Sequence, residues 1–299
     1  MASSEAEYLK ALYKDWSDRM GANPEMTLPD LRALFGEWEM ATLEPEGVSY
    51  KSGEVGGVAG VWAYPADGDR SKVLLYTHGG GFVVGSSSTH RKIAGHIAKA
   101  LGVTAFVLDY RLAPENPFPA QVDDAVAVFN GLIATGIAAK NIATIGDSAG
   151  GNLAVATVLR LRELELEMPG CVIAFSPWVD AAITGDTMES KAATDALVQR
   201  PILEGMRDMW LGETTAPDHP IASPLVSDFE GYPPLYINAG SDETLLDDSL
   251  RLHEKAQAAG VNSTLSVVEG MQHVFPFLAG RASEADEEIA RIADWYKGL

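Results

Sequence analysis

Apolar residues recur along this chain with two periods, and the change of period separates its beginning from the rest. Near the start the spacing is helical: Tyr8, Leu9, Leu12, Tyr13 and Trp16 fall on one face, and Leu31, Leu34, Phe35 and Trp38 repeat the pattern. The second of these helices follows Thr27-Leu28-Pro29-Asp30, where Thr27 is placed to cap it. From Val55 to Tyr64 the apolar positions predict early strands in antiparallel pairing. From Val73 onward, short apolar runs at 73–77, 103–108, 142–146, 171–175, 235–239 and 264–268 alternate with helical stretches. That alternation predicts an α/β fold, a mostly parallel central sheet flanked by helices on both faces. It is interrupted between Ala181 and Pro220, where Met188, Leu203, Met206, Met209 and Trp210 either line a pocket or pack on the sheet. At helical spacing, packing is the expectation for most of them. The chain divides accordingly into two leading helices in residues 1–45 and a single α/β unit in 46–299, with no repeat or flexible linker.

The chemistry clusters where strands end. Gly146-Asp147-Ser148-Ala149-Gly150 fits G-x-S-x-G at a strand-to-helix step, which nominates Ser148 as a nucleophile on a turn too sharp for flanking side chains. His78-Gly79-Gly80-Gly81 follows the run Val73-Leu74-Leu75-Tyr76, and its glycines can expose backbone N–H groups. Donors from Gly79, Gly80 and Ala149 are therefore the expected oxyanion hole for an acyl-transfer intermediate. A phosphate cradle is the competing reading of the triple glycine, but no Gly-Lys-Ser/Thr follows and Val84 occupies the last position of a G-x-G-x-x-G. Asp242 follows the strand at 235–239, and His273 follows the one at 264–268. The order Ser148, Asp242, His273 is that of the α/β-hydrolases rather than of chymotrypsin or subtilisin. In this triad His273 takes the Ser148 proton and Asp242 orients the imidazole, and an ester is cleaved through an acyl-enzyme.

These residues resemble the hormone-sensitive-lipase-like esterases, the bacterial family IV branch of the α/β-hydrolases. The resemblance runs through His78-Gly79-Gly80-Gly81-Phe82, Asp109-Tyr110-Arg111-Leu112-Ala113-Pro114-Glu115, Pro117-Phe118-Pro119-Ala120 and Gly146-Asp147-Ser148-Ala149-Gly150-Gly151-Asn152. It continues in Ser176-Pro177-Trp178 and Gly270-Met271-Gln272-His273-Val274-Phe275. Many members carry Asp-Pro-Leu where this chain has Asp242-Glu243-Thr244, which makes Asp242 the matching acid and leaves Glu243, Asp247 and Asp248 as alternatives. The resemblance implies a helical cap over the site, built from the leading helices and the 181–220 segment. It also implies carboxylic esters of short to medium acyl chain as substrates, with lactones an alternative opened by the same triad. Subunits of this family often pair through the last strand and helix, here the region from Leu265 to Val268 and the helix from Ser283 to Tyr296. A non-catalytic ligand-binding receptor on the same fold would be expected to lack a triad member, and an epoxide hydrolase would carry an acid in place of Ser148.

Composition narrows the partners. With 42 acidic and 22 basic residues the formal net charge is −20, which repels nucleic acid and anionic membranes. No apolar run approaches the roughly 18 residues of a membrane span. Cys171 is the only cysteine, so no internal disulfide is available and a small-hydrophobe role in its strand is expected. Met1-Ala2-Ser3-Ser4-Glu5 offers no basic region leading into an apolar stretch, so the expectation is a cytoplasmic protein. No H-E-x-x-H, Cys/His cluster or EF-hand loop is present, and neither metal nor cofactor is expected. Asp123 and Asp124 are expected to start the helix that follows them, and Asp147 and His78 to have structural rather than proton-moving roles.

Overall fold

The computed structural model describes residues 3–299, in which eight strands form one sheet in the order β1-β2-β4-β3-β5-β6-β7-β8. The strands β1 (Val48–Val55) and β2 (Val58–Pro65) form an antiparallel hairpin, and β2 runs antiparallel to β4 (Val103–Leu108). All other pairings are parallel, through β3 (Asp69–Thr77), β5 (Ile142–Asp147), β6 (Cys171–Phe175), β7 (Leu235–Gly240) and β8 (Ser263–Val268). Strands β4 to β7 are buried at every position, which explains why they read as unbroken apolar runs rather than as alternation. Cys171 is buried in β6, and that burial pushes its thiol up to about 12.

Helices fill the crossovers. Between strands run α3 (Ser87–Leu101), α4 (Ala120–Ala134), α5 (Ala149–Glu163) and α8 (Leu246–Ala258), and α9 (Ser283–Lys297) closes the chain. They cover the sheet with α3 packed against α9, and α4 against α5. The helix α4 starts at Ala120, three residues before the Asp123-Asp124 pair expected to begin it. Asp123 does lie in its first turn, but Asp124 is claimed by Arg111, whose Nη2 approaches Asp124 Oδ1 to 2.7 Å. An arginine fork is a stronger partner for that carboxylate than the helix dipole.

The leading helices are α1 (Glu7–Ala22) and α2 (Leu28–Phe35), the latter opened by a capping box of Thr27 and Asp30. A short 3₁₀ turn at Gly36–Met40 carries Trp38 inward. Trp16 packs on Tyr13, Phe35 and Trp38 at ring separations of 5.5, 5.3 and 5.5 Å, and Trp38 stacks on Phe277 at 5.6 Å. Each such pair contributes about 0.5–1.5 kcal/mol beyond its buried area, so the cluster anchors both helices to the loop after β8. The 181–220 interruption contains one turn of helix, α6 (Thr187–Ser190), and the longer α7 (Arg200–Leu211). Among the described residues no helix is long and apolar enough to cross a membrane.

Candidate active site

Parallel sheets gather loops at the carboxyl ends of their strands, and four such ends carry the candidate residues. After β5 the chain turns directly into α5 at Ser148, which is held at φ 54° and ψ −122°, a strained conformation for a residue with a side chain. Its N–H donates to the Phe175 carbonyl (2.8 Å), and its own carbonyl accepts from Asn152 N (3.0 Å) and Trp178 N (3.1 Å). The flanking glycines are required by contact. A side chain on Gly146 would strike Gly150 and Thr77 backbone, and one on Gly150 would strike the Thr77 and His78 carbonyl groups. Asn152 adds a further tie, donating from Nδ2 to the Trp178 and Ala222 carbonyls at 2.7 and 2.8 Å.

The loop after β8 delivers His273, buried, with Nδ1 2.7 Å from Glu243 Oε2. This corrects the expected acid. Asp242 is half-buried and turns aside, its Oδ1 accepting from Ser241 Oγ at 3.1 Å. Glu243 is fully buried and uses its other oxygen to accept the Gly240 N–H at 3.1 Å. The turn after β7 points residue 243, not 242, toward the imidazole, and the extra methylene of glutamate spans the gap. A signal in the sequence could have shown this: sliding the Asp-Pro-Leu pattern by one residue, to Glu243-Thr244-Leu245, recovers its leucine. Asp247 and Asp248 lie farther along, where both approach Arg251.

Burial opposes charge on His273, but the Glu243 hydrogen bond and negative charge, aided by Asp195 and Asp147, outweigh it and hold the imidazole above its usual range. The His273 carbonyl accepts from the Tyr13 hydroxyl at 3.1 Å, and Trp38 Nε1 donates to that hydroxyl at 3.4 Å. The leading helices thus touch the histidine loop through polar as well as aromatic contacts.

The glycine loop lies across from Ser148. A cavity there is lined by Gly80, Gly81, Ser148 and His273 at its base. Gly79 is not part of this wall: its Cα packs on Asp147, and its carbonyl meets His78 Nδ1 at 2.8 Å. Of the two glycines expected as oxyanion donors, Gly80 borders the cavity beside Ser148 and Gly79 does not, while Gly81 borders it. Ala149 is the first residue of α5, so its N–H has no partner within the helix. His78 is buried and stacked on Tyr110 at 4.1 Å, and burial together with neighbouring His90 pushes its imidazole well below the ordinary value. It shapes the loop, as expected. Asp147 is also structural: it accepts from Tyr76 Oη at 2.8 Å and faces His90 Nε2 at 3.4 Å, an ion-pair separation without hydrogen-bond geometry. Burial works to raise the Asp147 pKa, and His90 and Tyr76 overcome it.

The roof of the cavity is apolar. Phe35 and Trp38 come from the leading segment, and Leu197, Val198, Ile202, Leu203 and Met206 from the 181–220 interruption. Both readings of that interruption therefore hold, for different residues. Leu203 and Met206 line the cavity, whereas Trp210 packs against Phe82 at 3.9 Å and Met188 is buried away from the cavity. Phe35 and Trp38 were legible as a helical stripe but not as pocket wall, because periodicity gives a face and not what it faces. Among the described residues no cluster of His, Cys, Asp and Glu could hold a metal ion.

Comparison with known proteins agrees with this fold. The family model described as the alpha/beta hydrolase fold matches residues 74–277. An acetyl-hydrolase of Streptomyces hygroscopicus is 35% identical over 276 residues, 92% of this chain and 90% of the relative. An esterase of Acinetobacter venetianus is 35% identical over 234 residues, 78% of this chain and 77% of the relative. The crystal structure of an esterase from the bacterial hormone-sensitive lipase family superimposes with a TM-score of 0.94 at 37% identity, covering 100% of this chain and 99% of that one. The chain belongs to the α/β hydrolases, among the esterases of the bacterial hormone-sensitive lipase family, and is a carboxylic ester hydrolase.

Proposed function

We propose that the protein hydrolyses short- to medium-chain carboxylic esters by two-step acyl transfer on Ser148. The observation that carries this reading is the buried 2.7 Å contact of His273 Nδ1 with Glu243, on an imidazole that shares a cavity wall with Ser148. Glu243 accepts from Nδ1, which leaves Nε2 as the basic nitrogen of the neutral imidazole. That nitrogen takes the Ser148 proton as Oγ attacks the ester carbonyl. The oxyanion is received by the N–H groups of Gly80, Gly81 and Ala149, which need no reorganisation because the glycine loop and the α5 terminus are already fixed. His273 then protonates the departing alcohol, and water repeats the sequence to release the acid. The leading helices and the 181–220 segment act as the cap, and their apolar side chains bound the length of acyl chain that fits.

The test is turnover of p-nitrophenyl esters from acetate to palmitate by the parent and by Ser148→Ala. Short chains should be cleaved in preference to palmitate, and Ser148→Ala should lose about a thousandfold or more in kcat. Parental turnover by Ser148→Ala, or a preference for palmitate, would overturn the reading.

We also propose that two copies pair through β8, the last strand of the sheet, with α9 beside it. Val267 on that strand is 41% exposed, and among the described residues one edge of β8 has no partner strand, a surface a second copy can extend. Light scattering that gave the monomer mass of 31.9 kDa would reject the dimer.

A further inference from the structure

Asp195 sits in the segment leading into α7, 4% exposed, with both carboxylate oxygens fully engaged. Its Oδ1 accepts the N–H groups of Leu197 and Val198 at 2.9 and 2.8 Å. Its Oδ2 accepts the Thr244 N–H at 2.8 Å and lies 3.1 Å from the Thr244 hydroxyl, whose single proton is shared with the Val198 carbonyl at 3.0 Å. The two oxygens therefore hold two different things. Leu197 and Val198 are wall of the acyl cavity, and Thr244 is the residue after Glu243. Next door, Gln272 makes a parallel pair of ties, accepting from Ala196 N (2.8 Å) and donating to the Thr194 carbonyl (2.9 Å).

An aspartate that merely shaped its own turn would need only Oδ1, the local pattern common to Asp and Asn. The second oxygen reaches 49 residues along the chain to the acid turn. Electrostatics alone does not account for it, because its negative charge acts both ways on the pair: it raises the His273 pKa, but it also adds to burial in pushing the Glu243 pKa up, against the ionised form that His273 needs. A second buried carboxylate in that place has to be justified by what it positions.

We propose that Asp195 is a positioning residue, which ties the Leu197–Val198 wall to the Glu243 turn so that acyl pocket and acid–imidazole pair keep one geometry. The proposal rests on the assignment of Ser148, His273 and Glu243 above. An acyl chain pressing on the wall is then felt at the acid turn, and a loosened acid turn opens the wall. Polar groups around the pair come from every side: Asp195 from the cap and Asp147 from the end of β5 by charge, Tyr13 at the His273 carbonyl, and Ser176 with the Gly240 N–H at Glu243. Of these, Glu243, Asp195 and Asp147 raise the His273 pKa. Removal of the Asp195 charge therefore lowers it.

The experiment compares kcat, KM and their pH dependence on p-nitrophenyl acetate and butyrate for the parent, Ser148→Ala, Asp195→Asn and Thr244→Val, each with its Tm. Asp195→Asn should lower kcat about tenfold, as small misplacements of catalytic groups do, and move the acid limb of kcat/KM to lower pH. Thr244→Val keeps the charge and the Thr244 N–H bond to Asp195 and removes the hydroxyl that bridges Asp195 and the Val198 carbonyl, so it should lower kcat about threefold with the acid limb in place. If both variants keep kcat within about twofold and only Tm falls, Asp195 is a structural residue and the proposal is overturned. If Asp195→Asn does not fold, Thr244→Val decides alone: a lower kcat supports the tie and an unchanged one overturns it. Ser148→Ala separates the two levels of the account, since parental turnover there removes the triad itself, and Asp195 with it.

Discussion

The floor and the roof of the cavity are built on different principles. The floor is backbone: a serine at φ 54°, glycines that no side chain could replace, and loops fixed at the ends of β3, β5, β7 and β8. The roof is side chain: Phe35 and Trp38 from the leading segment, and Leu197, Val198, Ile202, Leu203 and Met206 from the interrupting segment. A backbone floor tolerates almost no change, because each glycine answers a steric demand and each N–H has one direction. An apolar roof tolerates change of volume, and under the proposed function its shape sets which acyl chain enters rather than whether chemistry occurs. The contrast assigns rate to the floor and selectivity to the roof.

The most damaging change on the floor is Ser148→Ala, with a loss of about a thousandfold or more in kcat at unchanged Tm. On the roof, Met206→Ala should leave kcat for acetate within about threefold while shifting the kcat/KM optimum toward a longer acyl chain by about tenfold. If Met206→Ala instead abolished turnover of all chain lengths, the division between floor and roof would fail. Tyr13→Phe tests the seam between them. It removes the hydroxyl that bonds the His273 carbonyl, and should cost about 0.5–1.5 kcal/mol of stability, read from denaturant unfolding. The smallest effect is one of position on the pH axis. His273 must be neutral to act as base, and its pKa is raised, so kcat/KM falls as pH drops through a value above the ordinary imidazole pKa of about 6.5. An acid limb below that value in the parent would show that the Glu243 bond and charge do not outweigh burial at the imidazole.

The same contrast explains what the sequence could convey. Glycine spacing and the G-x-S-x-G step made the floor legible, because steric demands leave few residue choices. The strands were legible for a related reason: buried on both faces, β4 to β7 read as unbroken apolar runs at the expected places. The acid was misplaced by one residue because Asp242 and Glu243 are both carboxylates, and only the turn after β7 decides which faces inward. Which of the three successive glycines border the cavity was not legible, because they look alike until Asp147 and the cavity tell them apart. The roof was least legible. Leu203 and Trp210 share one helix and one apolar character, yet one lines the cavity and the other packs against Phe82. The polar ties of Asp195 and Gln272 are contacts between distant segments, which no local pattern records.

Which acid holds His273 is tested by kcat of Glu243→Gln beside Asp242→Asn on the same short ester. The geometry predicts that Glu243→Gln loses on the order of a hundred- to ten-thousandfold, since a glutamine leaves the imidazole free to adopt the unproductive tautomer, while Asp242→Asn stays within about twofold of the parent. The reverse ranking would return the role to Asp242 and contradict the account.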